Sequence, residues 1–166
     1  MKLRANTVAP LSLLITFFLL VLLIPGGPIE NRDFSYLSPT VVWLFNGLIT
    51  LVGMGSLVAV YLMVAGSRFG YVLGIISGST FVLLSALDIF QIFPKSPTPM
   101  SPLLLGFEVA ILILSVVVVV SSYRVLTSGT VEGVKVPLKR TLPYVLLLTV
   151  LGILAVIWAS LAILGK

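Results

Sequence analysis

The stretch LLLGFEVAILILSVVVVVSSYRV, residues 103–125, holds one charged side chain, Glu108, before Arg124 closes the run, and it decides the fold class. A hydrocarbon core about 30 Å thick is crossed by around 20 helical residues. A run of this length and polarity is a transmembrane helix rather than a buried helix of a soluble domain. Pro102 stands at its start, where a missing backbone N–H costs a helix nothing.

Working outward, similar runs extend from Val8 to Ile24, Thr40 to Ala65, Tyr71 to Phe93 and Pro143 to Leu164. Each is bounded by Pro, Gly or charge: Pro25 to Pro28 after the first, Pro39 before the second, Gly66 and Arg68 after it, and Pro94 after the third. The expected fold is therefore an all-α integral membrane protein, a single domain over residues 1–166 with about five transmembrane helices. Hydrophobic residues make up 59% of the chain and charged residues 9%, against roughly 25% charged in a soluble domain. The connections are too short to hide a soluble catalytic domain.

Loop charges set the orientation. With the N-terminus inside, Lys2, Arg4, Arg68, Arg124, Lys135, Lys139 and Arg140 fall on the cytoplasmic side, and only Arg32, Lys95 and Lys166 fall outside. Dropping or adding a span would invert half of the loops. The reading is a multi-pass protein of the cell membrane with a cytoplasmic N-terminus and an external C-terminus. Met1 to Arg4 followed by an apolar run also has the form of a secretory signal. The run ends in Ile-Pro-Gly-Gly-Pro without a small-x-small cleavage site, so it is expected to stay as an anchor.

The basic balance does not point to nucleic acid, because the Lys and Arg residues sit at span ends, where membrane orientation places them. Cysteine and histidine are both absent. That removes disulfides, thiolate metal sites, Cys nucleophiles and His general bases. No cofactor or metal is expected, no catalytic residue is assigned, and the reading leans away from an enzyme.

Gly66, Gly70, Gly74 and Gly78 recur every four residues into the third span, a ladder of small-xxx-small steps that lets a neighbouring backbone approach. The same face continues through Ser77, Phe81 and Ser85 to Asp88. The second span carries Asn46, Thr50, Gly53 and Ser56; the fourth repeats Ser101, Glu108, Ser115 and Ser122 at intervals of seven. These stripes are expected to form the seams between helices. The fifth span has a stripe of Thr149, Gly152, Ala155, Ala159 and Ala162, and the first, mostly Leu, Phe and Ile, is expected at the lipid periphery.

Asp88 and Glu108 come to a similar depth, about 8 to 9 Å below the outer boundary at 1.5 Å per residue, with Asn46 level and Gln91 nearby. No Lys or Arg lies within a span at that depth. Two carboxyls so placed call for a shared proton, a bound cation or an aqueous vestibule. Three uses are open: a hydrogen-bonded structural cluster pinning spans two to four, a proton, cation or substrate site, or a group that simply reaches the headgroups. The connection from Gly26 to Pro39, with Glu30, Asn31, Arg32, Asp33 and Tyr36, lies above the cluster as a lid or an ordinary connector.

The leading expectation is a non-catalytic scaffold or accessory subunit, packing with another membrane protein or as a homo-oligomer in the lipid bilayer. The rival is a proton- or cation-coupled transporter or channel for a small solute, with Asp88 and Glu108 as the coupling pair.

Overall fold

The computed structural model describes residues 5–25, 29–30, 32–129, 131 and 138–165. Lys2, Arg4, Gly26 to Pro28, Asn31, Lys135 and Lys166, and the side chains of Lys139 and Arg140, lie outside the described residues. Five helices follow in order: α1 (Ala5–Leu22), α2 (Pro39–Val64), α3 (Arg68–Ile89), α4 (Pro102–Ser128) and α5 (Leu138–Leu164). Four of them are long and apolar enough to cross a membrane; α1 is shorter, its apolar part running Thr7–Leu22.

The helix ends follow from local chemistry. Ser38 and Ser101 cap α2 and α4, their hydroxyls accepting from the N–H groups of Val41 and Leu104, with Pro39 and Pro102 in the first helical position. Gly66 ends α2 in the left-handed region, φ 78°. There the Gly66 N–H donates to the Met63 carbonyl and the Ser67 N–H to Leu62. The third helix repeats this ending with Gln91, φ 52°, in the glycine position, the Gln91 and Ile92 N–H groups donating to Asp88 and Leu87. Helix α3 thus stops at Ile89 rather than at the expected Phe93, and α5 starts before Pro143, which lies inside it.

Helices α1 to α4 form a closed ring in which each packs on the next and α4 returns to α1; among the described residues α5 packs on α2 alone. In α4 the buried positions are Leu104, Glu108, Ile111, Ser115, Val118, Ser122 and Val125, alternating steps of four and three as in a coiled-coil seam. The polar repeat of α4 is half of that seam, and its apolar half interleaves with it.

The expected place of the first helix is corrected. Ala9, Leu13 and Thr16 of α1 are fully buried, and α1 is a wall of the ring. Its buried positions include a stripe of small residues, Ala9, Ser12 and Thr16, among bulky side chains. Helix α5 takes the peripheral place, with most of its large apolar side chains exposed.

The glycine ladder divides its work. Gly66 makes the turn; a Cβ on Gly70 would stand 2.5 Å from the Met63 backbone nitrogen. A Cβ on Gly74 would meet Met63 and Ser122, and one on Gly78 would lie 3.2 Å from the Ser115 carbonyl oxygen. The absent side chains bring α3 against α2 at one end and against α4 further along.

Candidate functional site

The α1–α2 connection does not run over the bundle; it enters it. Glu30 and Phe34 are buried, at 6% exposure each, and the Arg32 side chain between them is 5% exposed. Arg32 reaches two carboxylates through both edges of its guanidinium. Its Nε and Nη2 donate to Glu30 Oε1 and Oε2 at 2.9 and 2.6 Å. Its Nη1 and Nη2 donate to Asp88 Oδ1 and Oδ2 at 2.7 and 2.9 Å. Each pair is the two-bond fork that a planar guanidinium and a carboxylate make best. The Phe34 ring lies under the cation, its centroid 5.1 Å from Cζ.

The connection is fixed locally as well. The Arg32 N–H donates to Glu30 Oε1, the Asp33 carboxylate accepts from the Ser35 N–H at 2.8 Å, and the Ser96 hydroxyl donates to the Asp33 carbonyl at 2.9 Å. That last bond ties the α1–α2 connection to the α3–α4 connection. Burial works against the charge on Arg32, but the bonds to Glu30 and Asp88 outweigh it and raise its pKa above the ordinary value. The bonds from Ser35 lower the pKa of Asp33.

No Lys or Arg within a helix reaches Asp88; the cation that meets it comes from the α1–α2 connection. Arg32 comes from a connection rather than a span, so a search within the spans passes over it. The available signal was a short Glu30-x-Arg32 segment, with one of few basic residues on the side that the expected orientation leaves poor in them.

Behind the ion pairs lies a cavity of about 100 Å³. Its polar end is made by Glu30, Arg32, Asn46, Ser85, Asp88 and Glu108; Leu20, Leu23, Ile49, Phe81, Ala155 and Ala159 are among its apolar lining. Asp88 and Glu108 thus share one chamber, 6% and 8% exposed, with Ser85 beside Glu108. Asn46 enters from α2, its amide donating to the Ser160 hydroxyl of α5 at 3.1 Å. Gln91 does not join them: it is exposed, and its left-handed backbone turns the chain away after α3. Ser115 lies deeper in the α3–α4 seam, fully buried, and its hydroxyl and that of Ser122 have no hydrogen-bond partner among the described residues. Among the described residues no group of three carboxylates is arranged to hold a metal ion.

A second, almost wholly apolar groove of about 420 Å³ runs between α2 and α5, from Trp43 and Ile157 to Val58 and Val145. Gly47 and Gly55 line it with bare backbone, where an added Cβ would meet nothing within 4 Å.

A family model described as Domain of unknown function (DUF8051) matches residues 5–136, which hold the α1–α4 ring and stop short of α5. No curated protein and no solved structure matches the chain.

Proposed function

We propose, for a chain that belongs to the DUF8051 family, the role of a non-catalytic membrane scaffold or accessory subunit that packs with itself or with another membrane protein. The observation that carries this reading is Arg32, held by both edges between Glu30 and Asp88. Three of the chamber's charged groups, Glu30, Arg32 and Asp88, are spent on fixing a connection to α3. Chemistry would need Asp88 free, and both of its oxygens are engaged. The groove between α2 and α5 adds a surface where bare glycine backbone admits a close neighbour.

In this reading all five helices cross the cell membrane with the N-terminus in the cytoplasm, and the Arg32 cluster lies towards the outer face. Helix α1 is the short span: Thr7–Leu22 rises about 24 Å and meets the bilayer as a wall of the ring. The rival, a coupled transporter or channel, requires Asp88 and Glu108 to exchange a proton or cation during each cycle.

Cross-linking in native membranes, followed by purification in mild detergent, tests the proposal. A stable homo-oligomer or a stoichiometric membrane partner is expected. A chain that purifies only as a monomer, and whose liposomes show pH- or cation-dependent flux lost in Glu108→Gln, would replace it with the rival.

A further inference from the structure

The geometry points to a binding site for one anionic phospholipid in the groove between α2 and α5, with an acyl chain in the groove and the phosphate at its Val58–Val145 end. This inference goes beyond the scaffold reading and stands whether or not the bundle docks a partner. It starts from the shape of the groove. At Gly152 the two helices touch, since a Cβ there would stand 3.2 Å from both Thr50 Cγ2 and Met54 Cγ. Beside that contact Gly47 and Gly55 expose the backbone of α2, and Leu148 and Val156 line the α5 side with hydrocarbon.

The dimensions select a single hydrocarbon chain. From Val58 to Gly47, α2 rises about 16 Å at 1.5 Å per residue, the depth of one leaflet of a core about 30 Å thick. The groove's volume of about 420 Å³ equals roughly fourteen water volumes at about 30 Å³ each, and a methylene is about as large as a water. A helix about 10–12 Å across does not enter such a space; only its side chains would.

One end of the groove carries the signals of a headgroup. One turn beyond Val58 and beside Val145, Tyr61 of α2 and Tyr144 of α5 meet across the two helices, ring centroids 5.5 Å apart, and Tyr144 is 57% exposed. Tyrosines so placed mark the headgroup level. Lys139 and Arg140 stand in the first turn of α5, where the positive end of the helix dipole also lies. The opposite end, at Trp43 and Ile157, has no Lys or Arg within one turn on either helix. Charge therefore complements an anionic headgroup at the Tyr61–Tyr144 end, where each basic residue near the surface strengthens binding about fivefold.

The test uses the full chain purified in mild detergent and titrated with dioleoyl phosphatidylglycerol, dioleoyl phosphatidylcholine or glycerol 3-phosphate, read by native mass spectrometry and thermal shift. One retained phosphatidylglycerol per chain and a saturable stabilisation are expected, with phosphatidylcholine about tenfold weaker or more and glycerol 3-phosphate inert because it lacks the chain. Lys139→Gln with Arg140→Gln should erase the preference between the two lipids. Gly55→Leu, at a position where a Cβ meets nothing within 4 Å, should fill the groove and abolish retention while the lipid-free chain melts as before. No retention, equal retention of both lipids, a response to glycerol 3-phosphate, a preference kept in the double variant, or retention unchanged in Gly55→Leu would each overturn the assignment. A lipid-free dimer lost in Gly55→Leu would also overturn it and give the groove to a second copy. A lipid-bound monomer upholds the site and counts against the scaffold reading alone.

Discussion

Arg32 and Asp88, 56 residues apart in sequence, meet through two parallel hydrogen bonds of 2.7 and 2.9 Å, with side chains 5% and 9% exposed. Removing one partner of a buried pair typically costs about 3–5 kcal/mol, because the other charge is left uncompensated. The two ends of this pair are not equivalent. Arg32→Gln strands both Glu30 and Asp88 and should cost about that much. Asp88→Asn leaves Arg32 still paired to Glu30 and keeps a hydrogen-bonding side chain, so its cost should be nearer 1–3 kcal/mol. Equilibrium unfolding of both variants in the same detergent checks the order, and equal losses would contradict the two-sided role of Arg32.

The glycines give a sharper contrast. A Cβ on Gly70 would stand 2.5 Å from the Met63 backbone nitrogen and 2.7 Å from the Leu62 carbonyl carbon, and backbone cannot turn aside as a side chain can. Gly70→Ala should therefore cost about 1–3 kcal/mol through overpacking of α3 on α2. Gly47→Ala and Gly55→Ala meet nothing within 4 Å, so the monomer should be unchanged within about 0.5 kcal/mol. The measurement is the melting temperature of each purified variant. Loss of a cross-linked oligomer in the Gly47 or Gly55 variants, at unchanged melting temperature, would locate the docking face in the α2–α5 groove.

Sequence periodicity made the architecture legible wherever one helix carries its own pattern. The four-and-three spacing of α4 and the small-residue face of α3 are properties of a single run, and both faces are buried. Which helices neighbour each other is a property of pairs. Helix α1 looked peripheral because bulky residues outnumber its small ones, yet Ala9, Ser12 and Thr16 align one turn apart and, with Leu13, are buried. The site was half legible for a similar reason. Asp88, Glu108 and Asn46 announce themselves by being polar inside apolar runs, whereas Glu30, Arg32 and Ser160 are ordinary until the chain folds and the connection turns inward.

Gln91 occupies a position that glycine fills at the end of α2. With φ 52° and an exposed side chain, it pays a conformational cost that no described contact offsets. Left-handed backbone costs a residue with a Cβ about 1–2 kcal/mol, and glycine gives back part of that through its freer unfolded state. Gln91→Gly should stabilise the chain by about 0.5–1 kcal/mol and leave the Arg32–Asp88 pair in place, because Gln91 does not line the chamber. A destabilised variant would mean that the Gln91 side chain has a partner outside the described residues.

The absence of cysteine allows the proposed orientation to be tested with single introduced thiols. Tyr36, in the α1–α2 connection, is 52% exposed, and Thr127, in the last turn of α4, is also exposed; they lie at opposite ends of the ring. With the N-terminus inside, Tyr36→Cys should react with a membrane-impermeant maleimide in intact cells and Thr127→Cys only after lysis. The reverse pattern would turn the bundle over and place Arg32, Glu108 and their chamber towards the cytoplasm. Equal labelling of both sites in intact cells, with an internal cysteine control unlabelled, would place both sites on one side and so leave an even number of spans among α2, α3 and α4, removing one of the three. Positive-inside counting weighs seven basic residues against three, so the first pattern is expected, and with it the Arg32 cluster towards the outer face.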